Sequence, residues 1–315
     1  MSGPVKVVVA LGGNALEDKA LPPTAASQLQ VARRTAEYLA QLSCAGYELA
    51  VVHGNGPQVG RILLASETAA ETTPPMPFDV CGAMSQGYIG YHIQQALTDA
   101  LRKRGRPIPV VTVVTQMVVD RADPAFRNPT KPIGPFYSEE QARALEQSKG
   151  YTMKEDSGRG WRRVVPSPKP RRIVEIGTIR TLWDTTVSIA CGGGGIPVIE
   201  KEDGTLEGVA AVIDKDLAAC QLAQEMDADI LMILTEVPAV AIHFGKPDQT
   251  DLGEVSAAEL ERHAADGQFG AGSMLPKVQA AVEFVKSAPG RRAIITSLDL
   301  GLEALAGKCG TRIHG

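Results

Sequence analysis

The sequence of 315 residues predicts an open α/β sandwich, in which helices cover both faces of a mainly parallel sheet. Short, continuously apolar runs rich in β-branched residues alternate with helical stretches along the chain. Such runs are typical of strands that are buried on both faces of a parallel sheet. No repeat or flexible linker interrupts the alternation, so we expect a single domain over residues 1–315.

The strands and helices follow each other in a regular order. Strands are predicted at 5–11, 47–53, 109–119, 186–191, 230–235 and 292–297. Helices are predicted at 29–42, 80–103, 172–185, 215–227 and 274–288. In the first helix, apolar residues recur at helical spacing from Leu29 to Leu42, and Gly46 stands where glycine commonly ends a helix.

Composition excludes several classes of protein. Hydrophobic residues make up 44% and charged residues 22% of the chain, which is ordinary for a globular domain, and the net charge of −4 argues against a nucleic-acid partner. The five cysteines have no CxxC spacing and are interpreted as free thiols in a reducing compartment. The apolar run near the N-terminus is too short to span a membrane and lacks the features of a signal peptide. We therefore expect a cytoplasmic protein without a membrane partner.

Glycine-rich turns follow three of the predicted strands. Their sequences are ALGGNA (10–15), HGNGPQVG (53–60) and CGGGGIP (191–197). One such turn can simply be a tight connection. Three at the strand ends of one sheet, where ligands of open α/β sheets bind, favour a phosphate group held by backbone amides. None of them matches GxxxxGK[ST] or GxGxxG, so neither a P-loop nucleoside triphosphatase nor a Rossmann dehydrogenase is supported.

Three lysines stand in stiff or apolar surroundings. Lys131 lies in NPTKPIGPF (128–136), Lys215 in VIDKDLA, and Lys277 in GSMLPK. Surface charges and helix caps, with Asp214 as an N-cap, are the ordinary alternative. Phosphoryl transfer, however, depends on fixed positive charge around the moving group. The prolines around Lys131 predict a stiff segment, neither helix nor interior strand, that aims its side chain.

Together these segments resemble the carbamate kinases, a group of the amino acid kinase family. The matching segments are ALGGNA, HGNGPQVG, CGAMSQGYIGY (81–91), NPTKPIGPF, KEDSGRGWRRVVPSPKP (154–170), GGGGIPV, VIDKDLA and GSMLPK. The resemblance runs nearly end to end, and the block 120–170 separates the chain from acetylglutamate and aspartate kinases, which lack it. It implies a three-layer α/β/α sandwich with about eight strands in a homodimer. It also implies an acceptor-binding lobe at about 1–200, with a protruding lid subdomain at 120–170, and a nucleotide-binding lobe at 201–315.

The resemblance implies the reversible reaction ATP + carbamate = ADP + carbamoyl phosphate, in which carbamate forms from ammonia and CO₂. Mg²⁺ would be held by the phosphates of ATP or ADP, without direct metal ligands from the protein. The reaction would serve to make ATP from carbamoyl phosphate in arginine catabolism. Two alternatives stay open: a catalytically silent regulator that binds nucleotide or carbamoyl phosphate, and another small-carboxylate kinase of the family.

The resemblance also implies roles for individual residues. The catalytic residues would be Lys131, Lys215, Lys277 and Asp216. The acceptor and the transferring phosphoryl group would be bound by Gly12, Gly13, Asn14, Gly54, Asn55, Gly56, Gly193 and Gly194. The nucleotide would be bound by Asp214, Lys215, Thr235, Phe244, Met274 and Lys277. Tyrosine is common in the family where this chain has Phe244, so the resemblance implies the loss of one hydrogen bond on the nucleotide side, but not of the activity.

Three further interpretations concern the surroundings of the site. We expect the proline-rich block 120–170 to close over carbamate and to carry Lys131 with it. Its arginines, which we expect at the surface or in ion pairs with Glu155 and Asp156, are Arg159, Arg162 and Arg163. His53 is interpreted as structural, because carbamate is already an anion and needs no general base. For the helix 84–101, whose Gly87 and Gly90 permit close approach, packing within the subunit and a dimer contact are equally supported.

Overall fold

The structure is a computed structural model that describes residues 3–18, 20–156 and 158–315, and of Asn14 only the backbone. Its α-helices are α1 (Ala25–Cys44), α2 (Gly56–Thr68), α3 (Phe78–Lys103), α4 (Glu139–Lys149), α5 (Ile176–Leu182), α6 (Lys215–Glu225), α7 (Ala257–Ala265), α8 (Met274–Lys286) and α9 (Gly301–Leu305). Its strands are β1 (Lys6–Leu11), β2 (Glu48–His53), β3 (Val110–Thr112), β4 (Gln116–Val119), β5 (Lys131–Tyr137), β6 (Met153–Glu155), β7 (Trp161–Val165), β8 (Pro170–Ile173), β9 (Val187–Ile189), β10 (Ile196–Glu200), β11 (Leu206–Gly208), β12 (Ile230–Thr235), β13 (Ala241–Ile242), β14 (Thr250–Asp251), β15 (Glu254–Ser256), β16 (Arg292–Ser297) and β17 (Thr311–His314). Short 3₁₀ turns lie at Gly13–Ala15, Pro124–Phe126, Gly192–Gly194 and Leu298–Leu300.

The central sheet has eight strands in the order β15-β17-β16-β12-β1-β2-β9-β3. All neighbouring strands are parallel except β16 and β17. Along β1, side chains alternate between two cores. Val8 and Ala10 belong to the core that α6 and α8 complete, whereas Val7 and Val9 belong to the core that α1 and α3 complete. Both faces of the strand therefore carry apolar residues, one for each core. The predicted three-layer α/β/α sandwich is confirmed.

Two predicted elements were wrong in extent. The run 109–119 was expected as one strand, but it forms β3 in the central sheet and β4 in a separate four-stranded sheet with the order β11-β10-β4-β8. Its apolar pattern continues through the point where the chain changes sheets, so no residue marks the break. The predicted helix 172–185 begins later, because Pro170–Ile173 pairs with β4 as strand β8.

The segment around Lys131 is an edge strand. In the part of the chain that the structure describes, strand β5 pairs with β7 alone in a three-stranded sheet of order β5-β7-β6, so the stretch is neither a helix nor an interior strand, as predicted. Pro132 and Pro135 cannot donate a backbone hydrogen bond, and an edge strand tolerates this on its open side. Lys131 is the first residue of the strand and is therefore held by a stiff backbone.

This three-stranded sheet packs on helix α2. A Cβ atom on Gly60 would lie 3.0 Å from both Cα and N of Gly134, so the two backbones touch. At the C-terminal end of α2, the Glu67 carboxylate accepts hydrogen bonds from Lys149 Nζ, at 2.9 Å, and from the Tyr151 hydroxyl. Arg163 pairs with the same carboxylate at 3.6 Å. Helix α2 is thus fastened to the sheet that carries Lys131.

The arginines of the same region are engaged in ion pairs. Arg159 and Arg162 lie 3.0 Å and 3.3 Å from the Asp156 carboxylate, which is the internal pairing that was expected. Arg163 instead pairs with Glu67, which lies outside the block 120–170 and is not one of the two expected partners.

Helix α3 uses its two glycines differently. A Cβ atom on Gly90 would lie 2.2 Å from Thr112 Cγ2, so Gly90 permits close packing against β3 within the subunit. Gly87 faces open space. On the side of α3 that turns away from the sheet lie the exposed residues Val80 (37%), Met84 (48%) and Tyr91 (59%).

Among the described residues, we find no helix of the length and apolar character that crossing a membrane requires.

His53 ends strand β2 beneath the glycine-rich turns and is fully buried. Its Nδ1 donates to the carbonyl oxygen of Gly54 at 2.8 Å, because a carbonyl can only accept. Burial lowers the pKa of His53 to about 4, although the hydrogen bond to Gly54 acts to raise it. The imidazole is therefore neutral at pH 7, which agrees with the structural interpretation of this residue.

The titration of His53 predicts an acid-dependent loss of stability. An unfolded histidine titrates near pH 6.5, whereas His53 in the fold titrates near 4, so between these values the unfolded state binds the extra proton. Stability should therefore decrease as the pH falls through this window. In urea unfolding from about pH 7.5 to about pH 4.5, His53→Gln should lose about 2.5 kcal/mol less than the wild type.

His314→Gln, at an exposed histidine in β17, is the matched control and should keep the wild-type dependence. The account of His53 is wrong if His53→Gln shows the same pH dependence as this control.

Candidate active site

The carboxyl ends of the parallel strands bring the glycine-rich turns to one edge of the sheet. β1 leads into the turn at Gly12 and Gly13, the neighbouring β2 leads into Gly54, and β12 ends at Thr235 on the other side of β1. The backbone N–H of Gly12 donates to Leu234 O at 3.0 Å, and a Cβ atom on Gly12 would lie 2.7 Å from that oxygen. Only glycine therefore fits at this position without a shift of β12.

The third turn, Gly192–Gly194, lies buried behind the second. Gly193 and Gly194 have left-handed φ values of 66° and 96°. Cβ atoms on them would lie 2.2 Å from Asn55 Nδ2 and from Ile213 O, respectively. The turn is held by Gln86, whose Nε2 donates to Gly192 O at 2.9 Å. The glycines thus allow this turn to pack tightly under the second one.

Two cavities open at this edge of the sheet, with volumes of about 490 Å³ and about 260 Å³. They share the wall residues Gly13, Lys215, Ser273 and Lys277. A ligand in one cavity would therefore meet a ligand in the other at two lysines.

The larger cavity is mainly apolar. Three residues predicted to bind the nucleotide, Thr235, Phe244 and Met274, line it together with Gly12. The remaining apolar lining consists of Ala15, Leu234, Val237, Ala239, Ala241, Phe269 and Leu298. Phe244 is 66% exposed. Such a lining suits a flat, largely apolar ring system.

The smaller cavity is lined by most of the charged side chains of the site, Glu17, Lys131, Asp214, Lys215, Asp216 and Lys277. Of the residues predicted for the acceptor, Gly54, Asn55, Gly56 and Gly193 line it, and Gly13 lies on the shared wall. Gly194 lines neither cavity, Gly12 lines only the larger one, and the side chain of Asn14 lies outside the described residues. Asn55 is held by a hydrogen bond of 2.8 Å from its Nδ2 to Ser85 Oγ.

Lys131 reaches the smaller cavity from strand β5. Its Nζ donates to Asp214 Oδ2 at 2.9 Å. Asp214 was predicted with the nucleotide-binding residues, but the structure places it on the smaller cavity. Its other oxygen, Oδ1, accepts the backbone N–H of Asp216 at 2.9 Å and so caps helix α6, as the alternative interpretation expected. One carboxylate thus caps the helix and binds Lys131.

Asp216 joins the other two lysines. Its carboxylate, in a residue only 2% exposed, accepts from Lys215 Nζ at 2.7 Å on Oδ1 and from Lys277 Nζ at 2.9 Å on Oδ2. Lys215 begins α6, and Lys277 lies in the first turn of α8. Two helices from different parts of the sequence are therefore linked by one buried carboxylate.

The electrostatics of the cluster follow from burial and from these pairs. Burial lowers the pKa of Lys215, and Asp216 only partly offsets this. Burial acts in the same direction on Lys277, but Asp216 and Asp214 together with the hydrogen bonds of the lysine outweigh it, so the pKa of Lys277 is raised. Burial acts to raise the pKa of Asp214, but Lys131, Lys215 and the backbone N–H of Asp216 together outweigh it, so the pKa is lowered. Three ammonium groups face two carboxylates, so the cluster suits an anionic ligand.

Sequence reasoning missed several residues of the site. Ser273 lies on the shared wall, and Glu17 and Gln58 line the smaller cavity. Ser273 and Gln58 stand within the quoted segments GSMLPK and HGNGPQVG, so their place in a motif was the available signal. Glu17 accepts two hydrogen bonds from Arg61, at 3.2 Å and 2.8 Å, and no sequence pattern indicates this pairing. In the described part of the chain, no group of three or more His, Cys, Asp or Glu is arranged to hold a metal ion.

Comparisons with known proteins agree with this geometry. The model of the amino acid kinase family matches residues 5–297. The carbamate kinases of Pyrococcus horikoshii and Clostridium perfringens are each 53% identical to the chain over 313 residues, which covers 98% of this chain and 99% of each relative. The solved structure of carbamate kinase from Giardia lamblia bound to AMP-PNP superposes with a TM-score of 0.93 at 46% identity, and the match covers 99% of both chains. The chain therefore belongs to the amino acid kinase family, within its carbamate kinase group.

Proposed function

We propose that the chain transfers a phosphoryl group reversibly between ATP and carbamate, giving ADP and carbamoyl phosphate. The observation that carries this proposal is the wall of Lys215 and Lys277 between the two cavities. A nucleotide in the larger cavity would extend its phosphates to this wall, and carbamate would bind in the smaller cavity on the other side. The carbamate kinase relatives, which match over almost the whole chain, support this choice of substrates.

The lysines would act by charge. An oxygen of carbamate attacks the γ-phosphorus, a new P–O bond forms, and the P–O bond to ADP breaks. Both partners are anions, and two unit charges 4 Å apart repel by about 4 kcal/mol at an effective dielectric constant of 20. Because the γ-phosphate carries more than one negative charge, several fixed cations are needed. Lys215 and Lys277 would stabilise the moving phosphoryl group, and Lys131 would do so from the acceptor side.

No general base is needed in this reaction, since carbamate already carries its charge. The neutral His53 is buried beneath the turns and is not among the residues that line either cavity. The glycine-rich turns would supply backbone N–H donors for the acceptor and for the phosphoryl oxygens, and the N-terminus of α2, at Gly56, would add a favourable dipole.

Mg²⁺ would enter with the phosphates of the nucleotide. The carboxylates nearest to the shared wall are already engaged, since Asp216 binds two lysines and Asp214 binds Lys131. These residues therefore suit a metal held by the phosphates rather than by the protein. The ion would neutralise part of the phosphate charge when it is bound.

We propose further that the region 120–170 forms the lid of an acceptor lobe (about 1–200) and that residues 201–315 form the nucleotide lobe. Lys131 lies in the former region, and Phe244 and Met274 lie in the latter. The lid would exclude water from carbamate, which decomposes readily in water.

We also propose a homodimer that works in the cytoplasm. The exposed residues of α3, Val80, Met84 and Tyr91, recur at helical spacing and offer an apolar surface to a second copy. The five cysteines are all free thiols, which suits a reducing compartment.

The proposed reaction is tested directly by ATP formation from ADP and carbamoyl phosphate with Mg²⁺. We expect steady formation of ATP, measured by a coupled assay, at a typical enzymatic rate of about 1–1000 per second. ADP that binds without turnover would contradict the proposal and would favour the silent regulator.

The role of Lys131 is tested by Lys131→Ala. Because Lys131 faces the acceptor side, the variant should lower kcat about 100-fold to 1000-fold, while the Kd for ADP, measured by calorimetry, stays within about twofold. Lys154→Ala is the matched control, since Lys154 lies in the same three-stranded sheet and binds Asn128 instead of lining a cavity. An equal loss of kcat and of ADP binding in Lys131→Ala would contradict the assigned role.

A further inference from the structure

The side chain of Gln58 is enclosed but incompletely bonded. Gln58 lies in the first turn of α2, is 1% exposed and lines the smaller cavity. Its carbonyl oxygen Oε1 has no hydrogen-bond partner among the described residues. Enclosed polar atoms nearly always have a partner, so an unpaired acceptor beside a substrate cavity requires a reason.

The orientation of this amide is fixed by its neighbours. Gln58 Nε2 donates to Glu17 Oε2 at 3.5 Å. Glu17 in turn accepts two hydrogen bonds from Arg61. An ionised carboxylate only accepts, so the nitrogen of the Gln58 amide must face Glu17 and the oxygen must point elsewhere. The contacts from Arg61 through Glu17 to Gln58 therefore favour the orientation in which the oxygen of the Gln58 amide, and not its nitrogen, is the unpaired atom.

The charged groups of the smaller cavity suit the oxygens of the substrate and not a hydrogen-bond donor on it. Lys131, Lys215 and Lys277 are donors and match the oxygens of an anion. The carboxylates of Asp214 and Asp216 are occupied by these lysines. Gln58 Oε1 is thus an unpaired acceptor in a residue that lines this cavity.

Carbamate has the shape and charge of acetate, but an amino group, which can donate hydrogen bonds, replaces the methyl group of similar size. We propose that Gln58 Oε1 accepts a hydrogen bond from the amino group of carbamate or carbamoyl phosphate and thereby selects these substrates against small carboxylates that present a methyl group. This inference rests on the proposed function and names the residue that sets its acceptor specificity. A ligand without the amino group leaves the oxygen unpaired, and sites of this kind reject such analogues by large factors.

The test compares carbamoyl phosphate with acetyl phosphate, in which CH₃ replaces NH₂. The kcat/KM for ATP formation from ADP is measured with each phosphate for the wild type and for Gln58→Met, which keeps the size of the side chain but removes the acceptor. We expect Gln58→Met to lower kcat/KM for carbamoyl phosphate about tenfold to 100-fold and to leave the value for acetyl phosphate within about twofold. If turnover of acetyl phosphate is too slow to measure, its inhibition constant against carbamoyl phosphate replaces kcat/KM.

Gln147→Met, at an exposed glutamine of α4, is the matched control and should change neither value. An equal loss for both phosphates, or an unchanged ratio, would overturn the inference, because a purely structural role affects both substrates alike. Wild-type protein that forms no ATP from carbamoyl phosphate would instead reject the proposed function itself.

A second variant keeps the inference testable if Gln58→Met does not fold, which its binding of ADP would reveal. In Glu17→Gln, a neutral amide replaces the carboxylate, so the Gln58 amide is free to turn its nitrogen toward the cavity. The preference for carbamoyl phosphate over acetyl phosphate should then decrease by a factor of about three or more. An unchanged preference in this variant would overturn the inference as well.

Discussion

The buried carboxylate of Asp216 is the interaction on which the site depends. It binds Lys215 and Lys277, which lie 62 positions apart in the sequence and stand in the first turns of different helices. Two ammonium groups in nearly the same enclosed place would repel each other, and each would lose its hydration. The shared carboxylate offsets both effects. Without it, the positive wall between the two cavities would not persist.

This arrangement explains why the chain needs such a rigid frame. Asp216 lies in the first turn of α6, whose N-cap, Asp214, also binds Lys131. The three lysines are therefore tied to the start of one helix. Beside the smaller cavity, α2 carries Gly56 and Gln58 at one end and Glu67 at the other, where it is fastened to the sheet of Lys131. Packing at some distance from the cavities thus sets the position of the charged groups within them.

The sequence was sufficient for most of the fold because the central strands are buried on both faces. A run such as residues 6–11 has few interpretations other than an interior strand, whereas the number of eight strands in the central sheet came only from the family resemblance. The prediction was wrong where the same apolar pattern fits either one long strand or two strands in different sheets. The apolar run 109–119 continues while the chain passes from β3 to β4, and the pairing of β8 with β4 depends on contacts far along the chain.

For the site, the sequence identified charged residues inside recognisable segments, but not which group binds which. Neither the pairing of Lys131 with Asp214 nor the sharing of Asp216 could be derived from spacing, since the partners lie 83 and 61 positions apart. Gln58 and Ser273 were overlooked because an amide or a hydroxyl within a motif looks like any polar surface residue. Only the enclosure of Gln58 and its unpaired oxygen distinguish it.

The central claim is that Asp216 acts by holding the lysines, and a double-mutant cycle tests it most directly. The kcat for ATP formation is measured for wild type, Asp216→Asn, Lys277→Ala and the double variant, with ADP binding as the check on folding. Asp216→Asn alone should lower kcat about 100-fold or more, and its effect should be at least about tenfold smaller once Lys277 is absent. If the two substitutions instead multiply, with Asp216→Asn equally damaging in both backgrounds, Asp216 does not act through Lys277 and the account is contradicted.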